Sequence, residues 1–110
     1  MSITWKDFEN VGLRVGTVIR IEDFPEAQKS AYKLWVDFGP FGVKQSSAQI
    51  TTLYRKADLL GAQLICATGF SPKQIGPFTS EVLTTGFVQP DGSVVLAKPE
   101  RMLPNGTPLA

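Results

Sequence analysis

The chain contains no histidine and a single cysteine, Cys66, among its 110 residues. The first absence removes the side chain that most often serves as general base or metal ligand near neutral pH. The second excludes a multi-cysteine zinc cluster and any internal disulfide, and reads as a cytoplasmic chain. With no histidine to activate it, Cys66 suits a buried small hydrophobe better than a nucleophile. None of the G-x-x-x-x-G-K-[ST], G-x-G-x-x-G or G-x-S-x-G patterns occurs. The acidic residues are single or locally grouped, as in Glu22, Asp23 and Glu26, which suits a solvated turn rather than a metal site. Only Lys or Asp remains for catalysis, and a binding protein fits this inventory far better than an enzyme. No catalytic residue, metal or cofactor is expected. No apolar run approaches the roughly 20 residues of a membrane span, and the first residues lack the basic-then-apolar layout of a signal peptide. Net charge is +1, so any basic patch has to be assembled by folding, and affinity for a polyanion would be moderate and salt-sensitive. The 43% hydrophobic content supports one domain over residues 1–110 with a modest core, which pairing with a second copy would help to stabilise.

What is present centres on residues 70–83, between segments 63–69 and 82–88 that read as strands in the hydrophobic pattern. Pro72, Gly76 and Pro77 interrupt any helix or central strand there. The result is a loop of about a dozen residues, long for a compact domain and of the kind that carries function. Ile75 and Phe78 are its apolar anchors, and Lys73, Gln74, Ser80 and Glu81 are held out between them. A cation, an amide and a hydroxyl on a stiffened loop suit phosphate or polar ligands.

Along the chain, Thr4 and Asp7 have capping-box spacing for a short helix within residues 1–10. Trp5 and Phe8 share one face of it, either covering the core or packing on a partner subunit. Residues 11–24 alternate as a strand, with Leu13, Val15, Thr17, Ile19 and Ile21 on one face and Arg14, Gly16, Val18, Arg20 and Glu22 on the other. Gly16 is expected to mark a bend or bulge. A turn holds Glu26 and Lys29. Residues 32–38 alternate again, with Tyr32, Leu34, Val36 and Phe38 inward and Lys33, Trp35 and Asp37 outward. Residues 43–50 form a strand with few apolar residues, read either as an ordinary solvated strand or as a ligand-facing one. Residues 51–60 read as a helix capped by Thr51 or Thr52, with Leu53, Ala57 and Leu60 on its apolar face and Gly61 ending it. Residues 63–70 and 82–88 are the fourth and fifth strands, and Pro90-Asp91-Gly92 turns the chain back through residues 93–97. Residues 99–110 form an extended tail, whose Met102, Leu103 and Leu109 need a surface to cover.

Five strands with a short helix between the third and fourth are the layout of an all-β Greek-key barrel, the OB-fold. Its ligand surface is made by strands two and three with the loops after strands one and four. Here these are residues 32–50, 24–31 and 70–81, and the expectation is that Lys33, Lys44 and Lys73 gather on one side.

The segments Leu13-Arg14-Val15-Gly16-Thr17-Val18, Phe24-Pro25-Glu26-Ala27, Tyr32-Lys33-Leu34, Lys44-Gln45-Ser46-Ser47-Ala48-Gln49-Ile50-Thr51, Lys73-Gln74-Ile75-Gly76-Pro77-Phe78 and Leu103-Pro104-Asn105-Gly106 resemble the CsaA-type export-related chaperones. These are free-standing relatives of the tRNA-binding domains attached to some aminoacyl-tRNA synthetases. The resemblance implies an OB-fold homodimer with its terminal segments, Trp5, Phe8, Met102, Leu103 and Leu109, in the dimer contact. It implies binding of tRNA or structured RNA through Lys44, Ser47, Lys73 and Ser80, with Lys29 and Lys33 adding charge at the rim. It also implies binding of unfolded or export-bound polypeptides, for which Trp35, Phe41, Phe70 and Phe78 are the candidate contacts unless Phe41 and Phe78 simply pin loops. Alternatives are a dedicated secretion chaperone with vestigial RNA binding, and an assembly module with no ligand. The pattern has Gly69 where relatives often carry Asn, and Lys73 where Arg is common, a point charge without the bidentate fork.

Overall fold

The computed structural model describes residues 1–110. It opens with helix α1, Trp5–Val11. Thr4 Oγ1 accepts a hydrogen bond from the Asp7 N–H at 3.1 Å, and the Thr4 N–H donates to Asp7 Oδ2 at 2.9 Å, closing the expected capping box. Gly12, in the left-handed region, ends the helix.

Strands β1 (Leu13–Asp23), β2 (Tyr32–Asp37), β3 (Val43–Ala48), β4 (Gln63–Ala67) and β7 (Leu83–Thr84) form one antiparallel sheet in the order β3-β2-β1-β4-β7. Its two ends approach each other, giving a nearly closed five-stranded barrel of the OB type. Between β4 and β7 lies a small hairpin, β5 (Lys73–Ile75) and β6 (Phe78–Ser80), turning at Gly76 and Pro77. A loop is expected from sequence over this whole segment. Its strands are three residues each, too short for alternation to show.

The long first strand departs from its expected pattern. Val18 pairs with Val36, but Arg20, not Ile19, pairs with Trp35, so the bulge is at Ile19 and not at Gly16. One extra residue switches every later side chain to the opposite face. Val18 and Ile21 therefore both turn toward the core, Ile19 is 49% exposed, and Arg20 and Glu22 stand on the outer face beside Trp35 and Lys33. Gly16 has a different role. A Cβ there would lie 2.6 Å from Val36 Cγ1 and 2.8 Å from the Phe38 ring, so glycine lets β2 and its following turn close over β1.

Two other expectations are corrected. Helix α2 is Lys56–Leu59, capped at Arg55, whose N–H donates to Asp58 Oδ2 at 2.9 Å. Leu59 is its buried residue, while Leu53, Ala57 and Leu60 face solvent. The apolar spacing at 53, 57 and 60 misleads because residues 51–53 form a turn rather than helix. The fifth strand is broken: β7 ends at Thr84, Thr85 bonds to the Ile65 carbonyl through both its N–H and its Oγ1, and the chain leaves as a separate hairpin of β8 (Gly86–Val88) and β9 (Val94–Leu96).

The tail is pinned rather than loose. It bonds to β1 through Val15 N–H to Thr107 O, Gly106 N–H to Val15 O and Leu109 N–H to Leu13 O. The buried Gln63 amide brackets Leu103, donating to its carbonyl at 2.7 Å and accepting from its N–H at 2.9 Å. The core is built from Val18, Leu34, Val36, Phe38, Leu59, Leu64 and Cys66. Burial pushes the Cys66 thiol up from 9.0 to about 12.

Two outcomes are expected. Gly16→Ala should lose about 1–3 kcal/mol of stability by overpacking, read as a lower urea midpoint. Because the folded pKa of Cys66 is raised, its contribution to stability is complete below pH 9 and is lost as pH rises toward 12. Native protein should therefore resist thiol reagents at pH 8, with labelling appearing only at denaturant concentrations that unfold the barrel.

Candidate nucleic-acid interface

The outer face of β2 and β3 carries Lys33 opposite Ser47 and Trp35 opposite Gln45. Phe78, from the tip of the β5–β6 hairpin, lies over this face. Its ring meets Phe24 at 5.5 Å and Trp35 at 5.8 Å, both edge-on. With Ala27, Ala31 and Ile75 these rings make a second small core. Phe78 is only 6% exposed, so it pins the loop and offers no surface to a peptide. Trp35 is half-buried, with the Arg20 guanidinium 4.4 Å above its ring. The Lys33 ammonium sits 5.0 Å from the Phe24 ring and 5.6 Å from Phe78, so aromatic faces rather than a carboxylate hold it at the rim.

The hairpin is also fastened to the free edge of β3. The Ser47 N–H donates to Ser80 Oγ at 3.0 Å, and Ser80 Oγ donates on to the Val82 carbonyl at 3.2 Å. The Gln45 N–H donates to Glu81 Oε1 at 2.9 Å, while its carbonyl accepts from the N–H groups of Glu81 and Val82. Lys73 stands opposite Ser80 and shares with Ser47, Leu83 and Thr84 a groove that runs toward β8. Lys33, Ser47, Lys73 and Ser80 thus belong to one assembly of strand face and loop. The Ser80 hydroxyl is already engaged in holding it.

Lys44 does not join them. It is opposite Val36, a fully buried core residue, so its side chain leaves β3 toward the barrel's inner side at its open end. The expectation that Lys33, Lys44 and Lys73 share one face is corrected on this point: Lys44 is one residue out of phase with Ser47 and Gln45. It lines a recess of about 190 Å³ with Phe38, Phe41, Thr68, Phe70, Pro72 and Glu81. Phe41 and Phe70 remain 49% and 56% exposed there, apart from Trp35 and Phe78. Lys29 is exposed on the β1–β2 connection.

The ion pairs sort the cations. Arg20, Arg55, Lys56 and Arg101 pair with Glu22, Asp58, Asp23 and Glu100. Lys29, Lys33, Lys44 and Lys73 have no carboxylate within 4.0 Å. Arg20 is the residue that sequence reasoning missed, because the Ile19 bulge that brings it over Trp35 has no glycine or proline to signal it.

Gly69 has a structural reason. A Cβ there would lie 1.9 Å from the Asn10 carbonyl oxygen, and the Gly69 N–H donates to Val11 O at 2.9 Å. The C-terminus of α1 occupies the space an asparagine would need. On the same side of the molecule Trp5, which is 88% exposed, lines a cavity of about 780 Å³ with Phe8, Leu13, Arg14, Pro108 and Leu109. Leu103 lines an adjoining recess that shares Pro108 and Leu109, and Met102 is exposed without lining either. A second apolar patch, unforeseen from sequence, is the β8–β9 hairpin with Phe87 and Val88 exposed.

Among solved structures, the chaperone CsaA from Bacillus anthracis superposes with a TM-score of 0.93 at 45% identity, covering 100% of both chains. The CsaA chaperone from Picrophilus torridus does so at 0.89 and 44%, covering 99% of this chain and 100% of that one. A MetRS related protein from Pyrococcus horikoshii shares the fold, with a TM-score of 0.84 at 24% identity. Among curated proteins, methionine–tRNA ligase 1 from Bacillus cereus is 33% identical over 106 residues, and methionine–tRNA ligase from Salinibacter ruber is 31% identical over 94. These matches take in 96% and 86% of this chain but only 16% and 13% of the ligases. Residues 13–108 match the family described as Putative tRNA binding domain, and with a barrel and loop shared end to end with the CsaA structures, the chain belongs to the tRNA-binding domain family.

Proposed function

We propose that the chain is a non-enzymatic, cytoplasmic RNA-binding protein of the CsaA type that works as a homodimer and holds tRNA or another structured RNA. The observation that carries this reading is the state of the cations at the loop assembly: Lys33 and Lys73, with Lys44 behind them and Lys29 on the β1–β2 connection, lack carboxylate partners, as do Lys6, Arg14 and Lys98 elsewhere, while Arg20 over Trp35 is paired with Glu22. An unpaired ammonium on a fixed element is available to a phosphate without first breaking an ion pair, and its contribution appears as salt dependence. Trp35 and Phe78 support the loop from beneath, so recognition rests on backbone contacts and shape, as expected for folded RNA. Ser47 and Ser80 hold the loop edge close to those contacts. Dimerisation through Trp5, Phe8, Leu103, Leu109 and the neighbouring Met102 would cover the open cavity at the termini and set two loop assemblies on one particle.

A second reading, binding of unfolded or export-bound polypeptides, is favoured by one observation: Phe87 and Val88 are 68% and 76% exposed in addition to the terminal face. The chaperone names of the two CsaA neighbours agree with it.

For RNA, Lys33→Ala and Lys73→Ala should each reduce the slope of log affinity for tRNA against log salt by roughly two per dimer, with Arg55→Ala unchanged. An unaltered slope in both lysine variants would remove the RNA reading. For the dimer, Trp5→Asp should halve the mass seen by sedimentation equilibrium, and retention of the wild-type mass would place the contact elsewhere. For polypeptides, equimolar protein should suppress aggregation of a denatured client, and Phe87→Ser should weaken suppression while tRNA affinity is kept. Aggregation that proceeds unchanged with wild-type protein would exclude a chaperone role.

A further inference from the structure

Apart from Lys44, the residues of the recess at the open end of the barrel take no part in the contacts proposed above. Three elements build it: Phe41 and Lys44 from the turn after β2 and the start of β3, Thr68, Phe70 and Pro72 from the root of the long loop, and Glu81 from the barrel seam. Its two outer walls are phenylalanine rings left about half exposed. The Arg14 guanidinium lies 3.8 Å above the Phe41 ring and is held there by its bond to the Gly106 carbonyl at 2.9 Å. Lys44 is half-buried and has no carboxylate within 4.0 Å, although Glu81 lines the same recess. Glu81 uses Oε1 for the Gln45 N–H, and its Oε2 makes no hydrogen bond. Thr68 Oγ1 already donates to the Gly12 carbonyl at 2.6 Å, so it too can only accept from a ligand.

Aromatic walls with two cations at the margin and unused acceptors inside are the requirements of a planar ring that carries N–H donors and is attached to a phosphate. An aliphatic side chain would use only the walls. At about 190 Å³ the recess takes one ring system and no folded element. Pro72 in its wall directly precedes Lys73, so a strand whose phosphate meets Lys73 passes the recess opening.

We propose that the recess between Phe41, Lys44 and Phe70 takes one unpaired nucleobase of a bound RNA, stacked on the phenylalanines, with its N–H donors directed at Glu81 and Thr68 and its phosphate at Lys44. This rests on the RNA reading and adds to it a preference for RNA with an unpaired nucleotide. Stacking of a base on an aromatic side chain is worth roughly five- to a hundredfold in affinity.

The test uses a blunt RNA hairpin and the same hairpin extended by three unpaired 3′ nucleotides, titrated against the full-length protein. Wild-type protein should bind the tailed hairpin about tenfold more tightly. Phe70→Ala should abolish that preference while leaving affinity for the blunt hairpin and the thermal midpoint unchanged. Phe70→Tyr should restore the preference, and Lys73→Ala should weaken both RNAs equally. Equal binding of both hairpins by wild-type protein overturns the recess, as does a preference that survives Phe70→Ala with Phe41→Ala. Binding of neither hairpin removes the RNA reading itself, a distinguishable result. If Phe70→Ala leaves the RNA preference intact but reduces suppression of client aggregation, the recess belongs to polypeptide side chains and the proposal is wrong.

Discussion

The seam between β3 and residues 80–84 decides the rest of the architecture. An edge strand normally has to hide its unpaired backbone groups. Here Gln45 bonds to Glu81 and Val82 through both its N–H and its carbonyl, the Ser47 N–H goes to Ser80, and Ser46 Oγ meets Thr84 Oγ1 at 2.8 Å. Part of the ladder is replaced by side chains. The barrel is closed by the end of its own longest loop, so the element that completes the fold is also the one that presents Lys73. Loss of either Ser80 or Glu81 would act on both.

Two of the aromatic residues expected to contact polypeptide, Trp35 and Phe78, instead join Phe24 in a small core beneath the loop, with Arg20 and Lys33 against its rings. Phe24, Trp35 and Phe78 meet edge to face, a geometry that adds specificity to burial. Lys33 lies over two of these rings, which fixes its position without neutralising it. Stiffness and charge thus come from different side chains, and neither is compromised to provide the other.

Much of this was legible in residue order. Alternation over 32–38 gave inward and outward residues correctly, the Thr4–Asp7 spacing gave the first cap, and Pro90-Asp91-Gly92 gave the hairpin turn. Pro72, Gly76 and Pro77 located the long loop. What failed did so for identifiable reasons. The bulge at Ile19 lies inside an alternating stretch with no glycine or proline beside it to mark an extra residue. The true helix at 56–59 is a single turn with one buried leucine, too short for periodicity to register. Assigning the whole of strands two and three to the ligand surface groups Lys44 with Lys33, although a period of two sets it on the other side. The recess formed by Phe41 and Phe70 joins residues from separate stretches of the chain, and only closure of the barrel brings them together.

Gly69 ties two regions that would otherwise be independent. Residues 68 and 69 bond to the carbonyls of Gly12 and Val11, and the backbone there lies against Asn10. The last turn of α1 and the first residues of the long loop are therefore a shared joint. A tilt of α1, of the kind that burying Trp5 against another surface can impose, has no slack to absorb it before it reaches Phe70 and Pro72. What happens at the amino terminus is geometrically felt where the loop begins.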